Sequence, residues 1–329
     1  MRIHIQNPPD DPAFTITPAQ WAEAAARAGA PGHALSFGTT AAEFAAAIGQ
    51  AEALVGDKDI LRPLLPAAAP RLKLVFVTNA GLDNLAPFDW LPPGAALCNN
   101  RGTHTEKAGQ FGLMAVLMLA NRVPEMVTHQ RAGAWHKLWG GTLAGRRLTI
   151  VGLGALGGAI AAHAARFGMH VTGVRATEAP HPDCARVVGT DVVGTGALDA
   201  VLAQTEFLVL ACPLTPATLG LLDRRRIALL GPGAGVVNIG RGRLLDQDAL
   251  CDALDAGHLS GAVLDVFDPE PIPPGHRIWT TRNLIVSPHT AADDPATYLP
   301  RSLEILFANL HALEAGRPLP TRFDPGRGY

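Results

Sequence analysis

A chain of 329 residues is long enough for about two domains of ordinary size, and 48% hydrophobic against 17% charged residues excludes a disordered polypeptide. A net charge of −2 with no basic run leaves no electrostatic footprint for nucleic acid or an anionic membrane, so neither partner is expected. Cys98, Cys184, Cys212 and Cys251 are too scattered for a disulfide framework or a metal cluster, so no metal is expected and the cytoplasm is the expected compartment.

Residues 2–5 read as a first strand, and the opening Met-Arg-Ile-His-Ile-Gln has no signal-peptide character. Thr17-Pro18-Ala19-Gln20 has the spacing of a capping box with proline at the first helical position, which predicts a helix through residue 28. Residues 34–37 read as a strand, and Thr40-Ala41-Ala42-Glu43 repeats the capping signal before a second helix. Short apolar strands at 53–55, 72–77 and 96–98 complete an alternation that predicts a parallel sheet covered by helices on both faces. A helical pattern follows over 106–131, interrupted near Pro124, and its wide apolar face predicts burial against another domain or subunit. Its apolar run at 113–119 is far shorter than the roughly 20 residues a bilayer span needs.

The centre of the chain is Thr149-Ile150-Val151-Gly152-Leu153-Gly154-Ala155-Leu156-Gly157, a β-branched run entering Gly-x-Gly-x-x-Gly ahead of a helical pattern at 159–167. Gly152 suits a tight turn, Gly154 a close approach of backbone amides to a pyrophosphate, and Gly157 close packing of helix on strand. The positive end of the helix then faces the phosphates. Strands at 170–175, 207–211, 235–239, 262–267 and 284–286 alternate with helical segments in a doubly wound pattern. A final helix spans 295–313, and residues 314–329, rich in Pro, Gly and Arg, read as a tail.

Ligands in such sheets gather at the carboxyl ends of strands. Asn238-Ile239-Gly240-Arg241-Gly242 places a guanidinium at one exit, where it can clamp a carboxylate bidentately; on position alone a surface arginine is an equal reading. Asp265-Val266-Phe267-Asp268-Pro269-Glu270-Pro271 places acids at the next exit, and Ser287-Pro288-His289-Thr290 a histidine at the last. Singly, His289 reads as a loop histidine and Glu270 as a turn residue. Together behind a dinucleotide motif they suit hydride transfer to a ketone, where the forming alkoxide needs a proton and a carboxylate orients the imidazole.

Over nearly its full length the chain resembles the D-isomer-specific 2-hydroxyacid dehydrogenase family, with a likeness to its glyoxylate/hydroxypyruvate reductases. The resemblance is carried by Gly152-Leu-Gly-Ala-Leu-Gly157, Cys212-Pro213-Leu214-Thr215-Pro216, Val237-Asn-Ile-Gly-Arg-Gly242, and Asp265 to Pro271 followed by Ser287-Pro-His289. It implies two doubly wound α/β domains: a flavodoxin-like substrate domain at 1–102 and 296–329, and a Rossmann cofactor domain inserted at 103–295. It implies His289 as acid/base, Glu270 as its partner, and Arg241 as ligand of the substrate carboxylate and carbonyl. Ala80 and Gly81, in Asn79-Ala80-Gly81-Leu82-Asp83, match the family's substrate loop. The cofactor is implied to meet Gly152, Gly154, Ala155, Leu156, Gly157, Cys212, Pro213, Thr218, Ile239, Gly240 and Asp265.

Two positions depart from the family. Gln110-Phe111 stand where an Ala-Glu pair is frequent, which reads as a changed helix contact. Arg175 ends the second strand, eighteen residues after Gly157, where an acid normally binds the NAD ribose. Arginine there welcomes a 2′-phosphate, so NADP(H) is the expected cofactor; if Arg175 points into solvent, Glu178 can still reach a ribose and NAD(H) remains possible. Ala134-Trp135-His136-Lys137-Leu138-Trp139 resembles the Trp-rich arm of the reductases, with a Trp pair packed in a dimer interface as the alternative; a homodimer is expected. The expected activity is reduction of a small 2-ketoacid such as glyoxylate or hydroxypyruvate. A larger 2-hydroxyacid with NAD(H), or a corepressor-like dinucleotide-binding protein, are the alternatives. Glu270 in place of glutamine argues against a formate dehydrogenase.

Overall fold

A computed structural model describes residues 1–30, 32–65, 68–82, 85–189 and 196–326. The chain divides into two compact units, Met1–Thr103 with Asp294–Tyr329, and His104–Asp293.

The first unit is a five-stranded parallel sheet of β1 (Arg2–Gln6), β2 (Ala34–Gly38), β3 (Ala53–Gly56), β4 (Leu74–Val77) and β5 (Ala96–Cys98), in the flavodoxin-like order β2-β1-β3-β4-β5. Alternate residues feed opposite cores: Ile3, Ile5, Val55 and Phe76 lie in one, and Leu54, Val75 and Val77 in the other. Helices α1 (Pro18–Ala28) and α10 (Pro295–Glu314) cover the first core, and α2 (Ala41–Ile48) with α3 (Lys58–Leu64) the second. Both expected capping boxes form. Thr17 accepts the Gln20 amide while Gln20 accepts that of Thr17, and Thr40 and Glu43 repeat the exchange.

Residues 315–326, after α10, do not form a tail; residues 327–329 of the expected tail lie outside the described residues. The Phe323 amide donates to the Leu97 carbonyl at 2.8 Å, the Asn309 carboxamide pairs with the Thr321 amide and hydroxyl, and Thr321 and Phe323 are buried. A Pro- and Gly-rich composition concealed one aromatic anchor and one polar partner, enough to seat the segment.

The second unit carries α4 (Thr105–Ala120), α5 (Val123–Arg131), β6 (Arg147–Val151), α6 (Ala155–Arg166), β7 (His170–Arg175), β8 (Arg186–Gly189), α7 (Gly196–Leu202), β9 (Phe207–Leu210), α8 (Arg224–Leu229), β10 (Gly235–Asn238), α9 (Gln247–Asp255), β11 (Gly261–Leu264) and β12 (Leu284–Val286). Its parallel sheet runs β12-β11-β10-β9-β6-β7-β8, the doubly wound dinucleotide-binding order with one added strand. The topology reverses at β6, between β9 and β7, which puts the glycine turn at the switch point. Strand β8 has no counterpart among the expected elements; it exists by pairing with β7, since four residues after a proline-rich stretch carry little local signal.

The helical pattern at 106–131 is two helices meeting at 65°. The break is Asn121-Arg122, with Arg122 left-handed at φ 56°, and Pro124 sits in the first turn of α5 where its missing N–H costs nothing. Helix α4 lays Ala108, Gly109 and Gly112 on α6, so tightly that a Cβ at Gly112 would stand 2.4 Å from Ile160 Cδ1. Among the described residues no single helix is long and apolar enough to cross a membrane.

Candidate active site

The three glycines after β6 meet three different surroundings. Gly152 turns at φ 97°, and a Cβ on it would lie 2.6 Å from the Cys212 nitrogen, so the turn is pressed against the exit of β9. A Cβ on Gly157 would lie 1.8 Å from the Gly152 carbonyl oxygen, so α6 packs backbone-to-backbone on its own turn. Around Gly154 a Cβ would meet nothing within 4 Å. Gly154 is the N-cap of α6 with no side-chain cap, leaving the first-turn amides around the half-buried Ala155 and Leu156 without the usual intrahelical acceptors. Open space in front of a helix N-terminus fits a dinucleotide pyrophosphate.

At the end of β7 the Arg175 guanidinium donates to the carbonyls of Ala179 and Pro180, while its buried Nε has no partner among the described residues. Glu178 turns onto β8, where a Cβ on Gly189 would touch its Cγ at 2.5 Å. Thr218 ties the next loop, donating to the Pro213 carbonyl at 2.7 Å and accepting the Thr215 amide at 2.8 Å. Cys212, Ile239 and Gly240 are buried at the exits of β9 and β10, and burial pushes the Cys212 thiol up to about 12.

The exits of the neighbouring strands β10, β11 and β12 carry Arg241, the Asp265–Glu270 acids and His289. Asn238, fully buried, accepts the Gly240 amide at 3.1 Å and donates to the Arg241 carbonyl at 3.0 Å, closing a small loop that presents Arg241. Arg241 is half-buried and donates from Nη1 to the Gly240 carbonyl at 2.7 Å. A Cβ on the next residue, Gly242, would sit 2.0 Å from the Phe267 carbonyl carbon, so only glycine lets this loop lie against the one after β11. Asp265 is 2% exposed, and its Oδ1 accepts the Ser287 hydroxyl at 2.6 Å and the amides of Thr290 and Ala291 at 2.9 and 3.0 Å. Burial pushes this carboxyl up against the pull of those three donors. Asp265 therefore builds the loop that holds His289 in a left-handed conformation at φ 56°. His289 Nδ1 meets Glu270 Oε2 at 2.7 Å, while Glu270 Oε1 accepts the Phe267 amide at 2.7 Å. The two side chains are 50% and 35% exposed, open to an incoming ligand. The structure thus joins His289 and Glu270 directly and seats Arg241 on the neighbouring strand exit.

In the first unit, Ala80 and Gly81 follow β4, with Asp83 of the same motif outside the described residues. The Asn79 carbonyl accepts the Asn100 amide at 3.1 Å and the Ala80 carbonyl accepts Asn99 Nδ2 at 2.7 Å. In a trans peptide the amide points opposite its carbonyl, so the Ala80 and Gly81 N–H groups are turned away from β5. Asn99, Asn100 and Asn238 carry no titratable or nucleophilic group, and reasoning from chemistry alone passes over them; their signal is an amide side chain at a strand exit.

A glycine turn at the switch point, with an acid–histidine pair and an arginine on adjacent strand exits, defines a nicotinamide-dependent oxidoreductase. Residues 113–291 match the model of the D-isomer specific 2-hydroxyacid dehydrogenase NAD binding domain, and the chain belongs to that family. The human glyoxylate reductase/hydroxypyruvate reductase is 33% identical over 271 residues, 78% of this chain and 79% of that protein. The glyoxylate reductase of Korarchaeum cryptofilum is 32% identical over 259 residues, 77% and 76% of the two chains. Among solved structures, a D-isomer specific 2-hydroxyacid dehydrogenase from Xanthobacter autotrophicus in complex with NADPH and MES superposes with a TM-score of 0.80 at 30% identity, covering 100% and 99% of the chains. An NADPH-dependent glyoxylate/hydroxypyruvate reductase from Sinorhizobium meliloti, in complex with NADP and sulfate, gives 0.79 at 27% identity over 100% and 99%. The protein is an NAD(P)-dependent 2-hydroxyacid dehydrogenase with a small-molecule substrate.

Proposed function

We propose that the protein is an NADPH-preferring 2-ketoacid reductase for a small substrate such as glyoxylate or hydroxypyruvate, with His289 as proton donor. The observation that carries this reading is the 2.7 Å contact of His289 Nδ1 with a Glu270 carboxylate whose other oxygen is held by the Phe267 amide. A bound nicotinamide would supply the hydride. Glu270 fixes the imidazole orientation through Nδ1, which leaves Nε2 to hold the proton destined for the forming alkoxide. Arg241 pairs with the substrate carboxylate and polarises the carbonyl, and the outward amides of Ala80 and Gly81 are the first unit's own candidate carboxylate donors.

The second unit is the cofactor domain in this reading and the first the substrate domain. The open N-terminus of α6 would hold the pyrophosphate, and Arg175, whose Nε has no partner among the described residues, would take the 2′-phosphate. The NADPH and NADP complexes of the X. autotrophicus and S. meliloti enzymes support the cofactor reading. The protein is a homodimer through α4–α5 and the arm that follows. Met114, Met126, Trp135 and Trp139 are 44%, 41%, 93% and 79% exposed there, an apolar surface costly to leave wet, and His136 stacks on His129 at 4.4 Å to seat the arm.

The test is a matrix of initial rates with glyoxylate, hydroxypyruvate and phenylpyruvate against NADPH and NADH, repeated with His289→Ala. The variant should lose about 100- to 10,000-fold in kcat. No turnover of any ketoacid by the native enzyme, or undiminished turnover by the variant, defeats the reading.

A further inference from the structure

We propose that Gln247 is a positioning residue for the His289–Glu270 pair, an inference resting on the assignment of that pair as proton donor and partner. Gln247 opens α9, a helix whose start is fixed by Asp246 accepting the Ala249 amide at 2.9 Å and whose inner face, with Ala249, Leu250 and Leu254, is buried. From this rigid base its carboxamide grips the backbone of Asp268 from both sides, with Nε2 donating to the Asp268 carbonyl at 2.7 Å and Oε1 accepting the Asp268 amide at 3.2 Å.

Asp268 stands two residues before Glu270 in an exposed turn. One end of that turn is already located, because Gly242 lies against the Phe267 carbonyl and the Phe267 amide holds Glu270 Oε1. The contact between Arg243 Nε and Asp268 Oδ2 is long, at 3.7 Å, and both side chains are more than half exposed, so it constrains little. The reciprocal amide pair is what holds the residue between Phe267 and the Pro269–Glu270 step. Losing it frees the turn to swing the Glu270 carboxylate relative to Nδ1, and displacements of an ångström at such a pair cost rate rather than affinity. Gln247 spends both polar atoms on this backbone, so its removal acts through Glu270 and not through ligand binding.

The experiment uses the full chain with NADPH and glyoxylate, comparing Gln247→Met, Gln247→Ala, Glu270→Gln and the Gln247→Met/Glu270→Gln double variant. Melting temperature and NADPH Kd by fluorescence are read for each. Gln247→Met, which keeps the side-chain length without its polar atoms, is expected to lower kcat about tenfold, with KM for glyoxylate and NADPH Kd within about twofold of native. Gln247→Ala gives the same result with a smaller side chain and serves if the methionine disturbs folding. In the Glu270→Gln background the Gln247→Met change is expected to have no further effect. Native kcat in both Gln247 variants overturns the proposal, as does an equal loss of kcat with and without Glu270. Undiminished kcat in Glu270→Gln alone overturns the assignment of Glu270 as the partner of His289, on which the proposal rests.

Discussion

The two glycines at either end of the α6 cap give a sharp pair of substitutions, because one added methyl group meets opposite surroundings. In Gly157→Ala the new Cβ stands 1.8 Å from the Gly152 carbonyl oxygen, well inside the 3.0 Å that such atoms keep. Backbone on both sides leaves no flexible end to yield, so the cost lies at or beyond the upper end of overpacking, about 3 kcal/mol. Alanine's better helix propensity returns about 1 kcal/mol. The net loss of at least about 2 kcal/mol lowers Tm by about 4–8 °C for a unit of this size. In Gly154→Ala the Cβ meets nothing, and φ of −77° suits alanine. Alanine is a poorer N-cap than glycine, while it also restrains the unfolded chain by about 0.4–1 kcal/mol; these nearly cancel, so Tm stays within about 2 °C. The same methyl blocks the approach of a pyrophosphate to the helix amides. Loss of one or two charge-assisted hydrogen bonds, about 3 kcal/mol together, weakens NADPH about 100-fold. Thermal melts and NADPH fluorescence titrations read both effects. Native NADPH affinity in Gly154→Ala, or native Tm in Gly157→Ala, refutes the reasoning.

Other outcomes follow from named contacts. Arg175→Asp should invert the NADPH/NADH ratio of kcat/KM by about tenfold or more, and an unchanged ratio removes Arg175 from cofactor choice. Asn238→Ala strands the buried Gly240 amide and leaves the Arg241 carbonyl with the Leu244 amide alone; about 2 kcal/mol is lost, and KM for the ketoacid should rise while NADPH Kd holds, an equal rise in both arguing against a role through Arg241. His4 is held below its usual range, chiefly by burial, with Gln6 and Ser36 on its two ring nitrogens. Neutral His4 therefore contributes stability that is present above the unfolded value near 6.5 and is lost as pH falls through the lowered folded value. Tm should drop between pH 7 and 5, and His4→Gln should flatten that slope; His33, lowered by burial and by the Met1 ammonium, contributes to the part remaining.

Much of the architecture was legible because its signals are local. A capping box needs four consecutive residues, a glycine turn six, and a buried strand a short apolar run, so Thr17–Gln20, Thr40–Glu43 and Gly152–Gly157 read directly as the caps and turn that form. Where local preference is weak, partners decide. Strand β8 forms along β7, the α4–α5 break falls at a left-handed Arg122, and the segment after α10 is seated by Asn309 and Phe323. The site divides in the same way. The residue types and their places at strand exits belong to the sequence, including Arg241, Glu270, His289 and Arg175. Tertiary structure alone brings together Glu270 and His289, 19 residues apart, and Gln247 and Asp268, 21 apart, and sets Gly242 against Phe267. A hydrogen bond depends on placing two atoms within a few tenths of an ångström, and no pattern of neighbours along the chain encodes that distance. It is set by how β10, β11 and β12 lie side by side in one sheet.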